Sequence, residues 1–407
     1  MDNKFLISFW NTQDIDDASA NEADMWHDLG ITVAMSPSCG EGDEEKLTAI
    51  LDGAQKYGIK VIICDKRANW HSYERLGDAE YRKLFARLND AYGAHPAVYG
   101  FFVGDEPNAP DFEAALAVVR IQNEIAPQLT AYLNLLPWFD WIAERMGTPA
   151  LAPYLDRAVN ESGTKILSYD CYAQMWGSDE GLDVYFNNLR EYYENVKRNN
   201  VPFVNIILSC GHYNYRTPSK NDMQWQLGTS VAMGARGISW FFVTLPGIWD
   251  NYRNAPINQL GERTESFAWL SEVNRVFQNY VGTLMSTLTI DACYHVGRAY
   301  GGVAMFEPFG NLLSVSSSDE SVPLIASRFH DNAGGEYYVV CVNSPEKSAY
   351  VSMSFTEGLK LSRSVYGGKF APVTSHTDPI GALDRKEGQS AGVWLAPGQL
   401  VVIRAEK

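Results

Sequence analysis

The chain has 407 residues, 46% of them hydrophobic, and a formal net charge of −16. That is enough apolar material for two cores. The acidic balance speaks against a nucleic acid partner, which needs a basic surface, and gives no attraction to an anionic membrane; no apolar stretch approaches the length of a membrane span. Read in chain order, strand-like apolar runs occupy 5–10, 31–35, 60–64, 98–103, 130–136, 165–172, 203–209 and 237–243. Amphipathic helical patterns lie between them, as at 44–57, 81–92, 111–125, 182–198 and 222–233, and a last one spans about 264–280. Gly30, Gly58 and Gly234 stand where helices end before strands, as C-cap glycines do. Nearly continuous apolar strands alternating with helices predict a parallel sheet covered on its faces. The fold class is therefore α/β, an eight-stranded (β/α)8 TIM barrel over residues 1–289.

After Thr289 the texture changes to short alternating runs at 324–329, 336–342, 349–355 and 399–404, with turn chemistry at 332–335 and 396–398. Residues 290–407 are predicted to form a small antiparallel β-sandwich domain. No Gly-, Pro- or Ser-rich linker precedes it, so tight packing on the barrel is expected. Met1 stands almost at the first strand; a chain with a cleaved leader would start the same way, and an extracytoplasmic setting (secreted, periplasmic or surface) is the expectation.

Six cysteines lack paired metal-type spacing, and seven histidines form no HxH or HExxH cluster, so neither a metal nor a disulfide framework is expected. No glycine-rich phosphate loop occurs, and the chemistry is expected to need no cofactor. The informative segment is Gly104-Asp105-Glu106-Pro107-Asn108, at the end of the fourth strand. Barrel chemistry collects at that edge. Two carboxylates beside apolar sequence are costly there unless solvated, bonded or used. The proline disfavours the helical region for its predecessor, so Glu106 is expected in extended backbone. Strict alternation puts Glu106 over the mouth with Gly104, Phe102 and Gly100, and turns Asp105 toward the helices. In the sixth strand Asp170 shares a face with Ser168 and Tyr172, which would bring it to the same mouth.

Aromatic residues crowd the rim: Trp10, Trp70 with His71, Trp138, Tyr172 with Trp176, His212 with Tyr213, Trp249 with Tyr252, and Trp240 within strand eight. Sugar rings stack their C–H faces on such residues and offer hydroxyls to carboxylates and amides, so the rim fits a carbohydrate site. Each residue also has a plainer reading, as helix capping for Glu106, loop anchoring for Asp105 and Asp170, and packing for the rings. A thiol nucleophile built from Cys210 and His212 is a lesser alternative.

The barrel with its C-terminal β-domain, Gly-Phe-Phe-Val-Gly-Asp-Glu-Pro at strand four and 226–242 across helix seven and strand eight resemble bacterial retaining glycoside hydrolases of the β-galactosidase-like and related barrel families. The resemblance implies an acid/base Glu at strand four, which is Glu106. It also implies a nucleophilic Glu at the end of strand seven, where this chain reads Ser209-Cys-Gly-His-Tyr213 and departs from the pattern. Tyr169-Asp170 is similar to the strand-six pair of chitinase-like barrels.

Together these readings predict a cofactor-free glycoside hydrolase acting on an oligo- or polysaccharide. Glu106 is the expected general acid and Asp170 the second carboxylate, with Asp105 beside them. Asn134, His212, Tyr213 and the tryptophans would position the sugar. The alternative is a barrel that binds carbohydrate without cleaving it. Strand ends four and six are about 9–10 Å apart at the backbone, which leans toward inversion, with Asp170 activating water.

Overall fold

The computed structural model describes residues 4–19, 21–174, 181–245, 251–373 and 390–407. Eight parallel strands form the barrel: β1 (Leu6–Phe9), β2 (Val33–Met35), β3 (Lys60–Ile63), β4 (Val98–Asp105), β5 (Thr130–Leu135), β6 (Leu167–Asp170), β7 (Phe203–Leu208) and β8 (Gly237–Phe241). Each pairs with the next from β2 onward, and β8 pairs with β1. The last gap is bridged by Thr32, whose N–H donates to the Ile7 carbonyl at 2.9 Å and whose hydroxyl oxygen accepts from Ile7 N–H at 2.8 Å. Leu6, Val33, Met35, Ile62, Tyr132, Ile166 and Val204 fill the interior, so the barrel is a packed core and not a pore.

Nine further strands follow among the described residues: β9 (Thr289–Val296), β10 (Leu312–Ser317), β11 (Leu324–His330), β12 (Glu336–Val342), β13 (Ala349–Phe355), β14 (Lys360–Val365), β15 (Lys369–Pro372), β16 (Ser390–Leu395) and β17 (Leu400–Glu406). They make a six-stranded sheet, β15-β14-β17-β12-β11-β9, and a three-stranded sheet, β10-β13-β16, both antiparallel. Leu312, Val340, Met353 and Ile403 lie in the core between the two sheets.

The larger sheet packs on the barrel helix Lys220–Ala232, which is buried from Trp225 to Ala232 without a solvent face. A helix apolar or small on all sides must be covered on all sides. Gly228 lies against Gly398, where a Cβ would overlap the Gly398 carbonyl. Trp225 Nε1 donates to Asn343 Oδ1 at 2.9 Å, and Ser327 donates to the Ala232 carbonyl. Barrel residues such as Ile207 and Met233 share one apolar core with Cys293, Ile325, Val339 and Val402 of the sheet. No helix among the described residues is long and apolar enough to cross a membrane.

Candidate active site

The end of β4 is where simple alternation fails. Phe102 pairs with Tyr132, but Gly104 pairs with Leu133, so Val103 is an extra residue, a bulge. The bulge reverses the phase. Asp105 stands opposite Asn134 and faces into the mouth with it, where alternation had turned Asp105 outward. Gly104 sits at φ +148, and the Trp70 ring occupies the space a Cβ would need. Glu106 is not extended; it adopts a left-handed φ of +47, uncommon for a residue that is not glycine. Its N–H donates to the Asn134 carbonyl at 3.0 Å, and its carboxylate pairs with Arg145 at 3.1 Å. Arg145 is steered in turn by Asn108, whose Oδ1 accepts from its Nε at 2.6 Å. Such local strain collects at functional sites. Gly104→Ala is accordingly expected to lower the melting temperature and to displace Asp105 and Glu106 together; thermal unfolding alongside a ligand-binding assay checks this.

Asn134 is the hub of the site. Its Nδ2 donates to Asp105 Oδ1 at 2.9 Å and to Asp170 Oδ1 at 3.0 Å. Its Oδ1 accepts from the Ser168 hydroxyl at 3.0 Å, and Ser168 lies 2.8 Å from the Tyr132 hydroxyl. One amide thus holds two carboxyl groups, and the two oxygens it binds are no more than about 6 Å apart. Loss of water pushes the Asp105 carboxyl up to about 6, with the Glu106 charge adding to it and Asn134 and Arg145 opposing. Asp105 is exposed at the mouth, yet protein atoms crowd around its carboxyl and displace part of its water. Asp170 is raised well above the ordinary carboxylate range, first by burial and then by the charges of Glu106 and Asp105, against hydrogen bonds from Asn134 and Tyr172. Both carboxyls are thus held toward their neutral forms, since burial and neighbouring negative charge each oppose ionisation.

The cleft has a volume of about 190 Å³ and is lined by Trp10, Asp105, Glu106, Asn134, Asp170, Tyr172, Ile206, His212, Tyr213, Phe241 and Tyr252. Burial and, less, Arg253 push the His212 imidazole down to about 4, so it is neutral near pH 7. Its ring packs among those of Tyr172, Tyr215, Phe241 and Tyr252. Tyr213 is 61% exposed at the rim.

No family model and no curated protein matches the sequence. The structure is similar to solved ones at low identity. The cold-adapted β-galactosidase from Rahnella sp. R3 matches with a TM-score of 0.59 and 10% identity over 99% of this chain and 98% of that one. A glycoside hydrolase family 5 protein from Bacteroides vulgatus matches with a TM-score of 0.57 and 10% identity over 99% of this chain and 89% of its own. The β-galactosidase from the psychrophilic Marinomonas ef1 matches with a TM-score of 0.51 and 10% identity over 69% of this chain; this chain spans only 62% of that protein. The fold is that of the barrel glycoside hydrolases.

Within this glycoside hydrolase fold, the end of β7 carries no carboxylate. Ser209 donates to the Phe242 carbonyl at 2.7 Å, and Cys210 sits in an apolar cluster with Phe242 and Ala255. Burial pushes the Cys210 thiol up to about 12, which leaves it protonated and removes it as a nucleophile. Among the described residues no group of three His, Cys, Asp or Glu is placed to hold a metal ion.

Four of the expected rim residues lie elsewhere. Trp240 is fully buried on the outer side of β8, its Nε1 donating to Asn274 at 3.0 Å, because Ser239 and Phe241 take the inner phase. Trp70 is buried behind Gly104. His71 is exposed and faces Glu74 at 3.4 Å. Trp138 packs half-buried on the barrel core, its N–H donating to Asn188 at 2.8 Å. Trp176 and Trp249 fall outside the described residues. Phe241, Ile206 and Arg145 went unnoticed in the sequence. Phe241 had a signal, being one residue from Trp240 and so on the opposite face.

Proposed function

We propose that the protein is a glycoside hydrolase that cleaves an oligo- or polysaccharide with the carboxyls of Asp105, Asp170 and Glu106. The observation that carries this is the Asn134 amide holding two carboxyls at the barrel mouth. With one proton between them, the pair can protonate the glycosidic oxygen as the C1–O bond breaks. Glu106, ion-paired with Arg145, supplies the carboxylate that accepts a proton from water or stabilises the cationic sugar. This moves the acid from Glu106, its place in the resemblance, to the aspartate pair. With Asp105 and Asp170 tied to one amide as the acid pair, water activation in an inverting reaction would fall to Glu106. Trp10, Tyr172, Tyr213 and Tyr252 supply faces for a sugar ring.

A binding barrel without catalysis is the second reading, favoured by the missing carboxylate on β7. A screen of aryl-glycosides and polysaccharides, read by turnover and by ligand-induced melting shifts, separates the two. Turnover selects the enzyme, a shift without turnover selects the binder, and neither rejects both.

The pair also predicts a pH dependence. Its first proton leaves near pH 6, so kcat/KM should rise with pH through about 6 and hold while one proton remains. For stability the sign is opposite. The folded state binds the Asp105 proton more tightly than the unfolded chain, whose aspartates ionise near 3.9. The contribution is thus full below about 4 and is lost as pH rises through about 6. In Asp105→Asn the melting temperature should vary less across that window than in the parent, measured by calorimetry at fixed ionic strength.

A further inference from the structure

Between the barrel mouth and the six-stranded sheet lies a second cavity of about 410 Å³, roomier than the catalytic cleft at about 190 Å³. We propose that it binds a neutral polyhydroxylated ligand, a sugar or short saccharide. Two amide side chains lining it are nearly closed off from solvent, Gln174 at 3% and Asn343 at 6% exposed. Gln174 Oε1 and Asn343 Nδ2 are buried without a hydrogen-bond partner. The Asn343 orientation is set by Trp225, whose Nε1 donates to its Oδ1 at 2.9 Å and so leaves the NH₂ end unpaired beside the cavity. Buried amide atoms left unpaired are costly and call for a partner. One is an acceptor and the other a donor. A hydroxyl group serves both roles, whereas a carboxylate or an ammonium serves only one.

The charges point the same way. Arg216 and Asp222 line the cavity but satisfy each other through two bonds of 2.6 Å, and Ser219 also binds the Asp222 carboxylate. Arg298 and Glu346 add one charge of each sign. The lining is therefore balanced and favours neither an anion nor a cation. The two cavities share a wall. Gln174 follows Tyr172 of the catalytic cleft by two residues, and its carbonyl accepts from Arg216 N–H at 2.7 Å, tying together the segments after β6 and β7. This second site does not require turnover at the first.

The test uses the full chain with lactose, cellobiose and maltotriose, and with gluconate and glucosamine as charged counterparts. Isothermal titration should find at least one neutral saccharide that binds better than either charged probe. Crystals soaked with it should show it in this cavity. Gln174→Met and Asn343→Asp, each of which removes one orphaned atom, should weaken that binding about tenfold. Asn343→Asp keeps the acceptor that Trp225 needs, so it remains informative if Gln174→Met folds poorly. Three results would overturn the proposal: no neutral saccharide binding at all, only water in the soaked cavity, or binding that both folded variants leave unchanged. A preference for gluconate or glucosamine over the neutral sugars would overturn it as well.

Discussion

Asp170→Asn is expected to fold as the parent does and to lose about 10³-fold in kcat, the middle of the range for a missing general acid. The amide fills the carboxyl's volume and keeps an oxygen to accept from Asn134, so the hub survives. It cannot give up a proton to a leaving group. Burial opposes the Asp170 charge, and replacing it with a neutral group should leave the melting temperature equal or higher. The variant should also change the pH profile. Asp105 would be the remaining acid of the pair, so the residual activity should decline as pH rises through about 6, where the parent's rises. A merely structural aspartate would show neither effect. Parental turnover in a variant that melts normally would remove Asp170 from the mechanism, and residual activity that still rises through pH 6 would show that Asp105 does not take over as the acid.

The barrel could be read from sequence because its strands are buried on both faces. Runs such as 203–209 and 237–243 are apolar almost without interruption, and glycines at Gly30, Gly58 and Gly234 close the helices before them with positive φ. The β-sandwich was legible from its shorter alternating period. What could not be read was phase. One bulge residue, Val103, turns Asp105 into the mouth while Glu106 stays at the cleft in a left-handed conformation, and a bulge leaves no mark on a period-two pattern. The same one-residue sensitivity placed Trp240 in the cleft when its neighbour Phe241 is there. Asn134 was legible as a polar residue in an otherwise apolar strand. Its role as a bridge was not, since that depends on β4 and β6 flanking β5 at matching heights. Arg145 rides on the four-residue helix Ala143–Met146, far along the chain from Glu106, and no local pattern announces such a partner.

Ending the chain near Thr289 is expected to yield aggregated or unfolded material rather than a smaller stable barrel. Topology changes there, but the packing does not stop. The helix Lys220–Ala232 would lose the cover on the face it presents to β11 and β12, exposing a contiguous apolar patch. Trp225 Nε1 would lose Asn343, and Met233 would lose the packing of Cys293. Stripping buried apolar side chains costs about 25 cal/mol for each Å² exposed, and a domain is stable by only about 5–15 kcal/mol, so a few such residues suffice. A milder probe reaches the same interface without truncation. Gly228→Val puts a branched side chain where Gly398 already sits, and should lower the melting temperature sharply while leaving the residues of the candidate active-site cleft untouched. Size-exclusion chromatography and calorimetry read both variants. A monodisperse truncated barrel that melts with the parent would mean that residues 290–407 are an independent domain, and the shared core would then contribute little to stability.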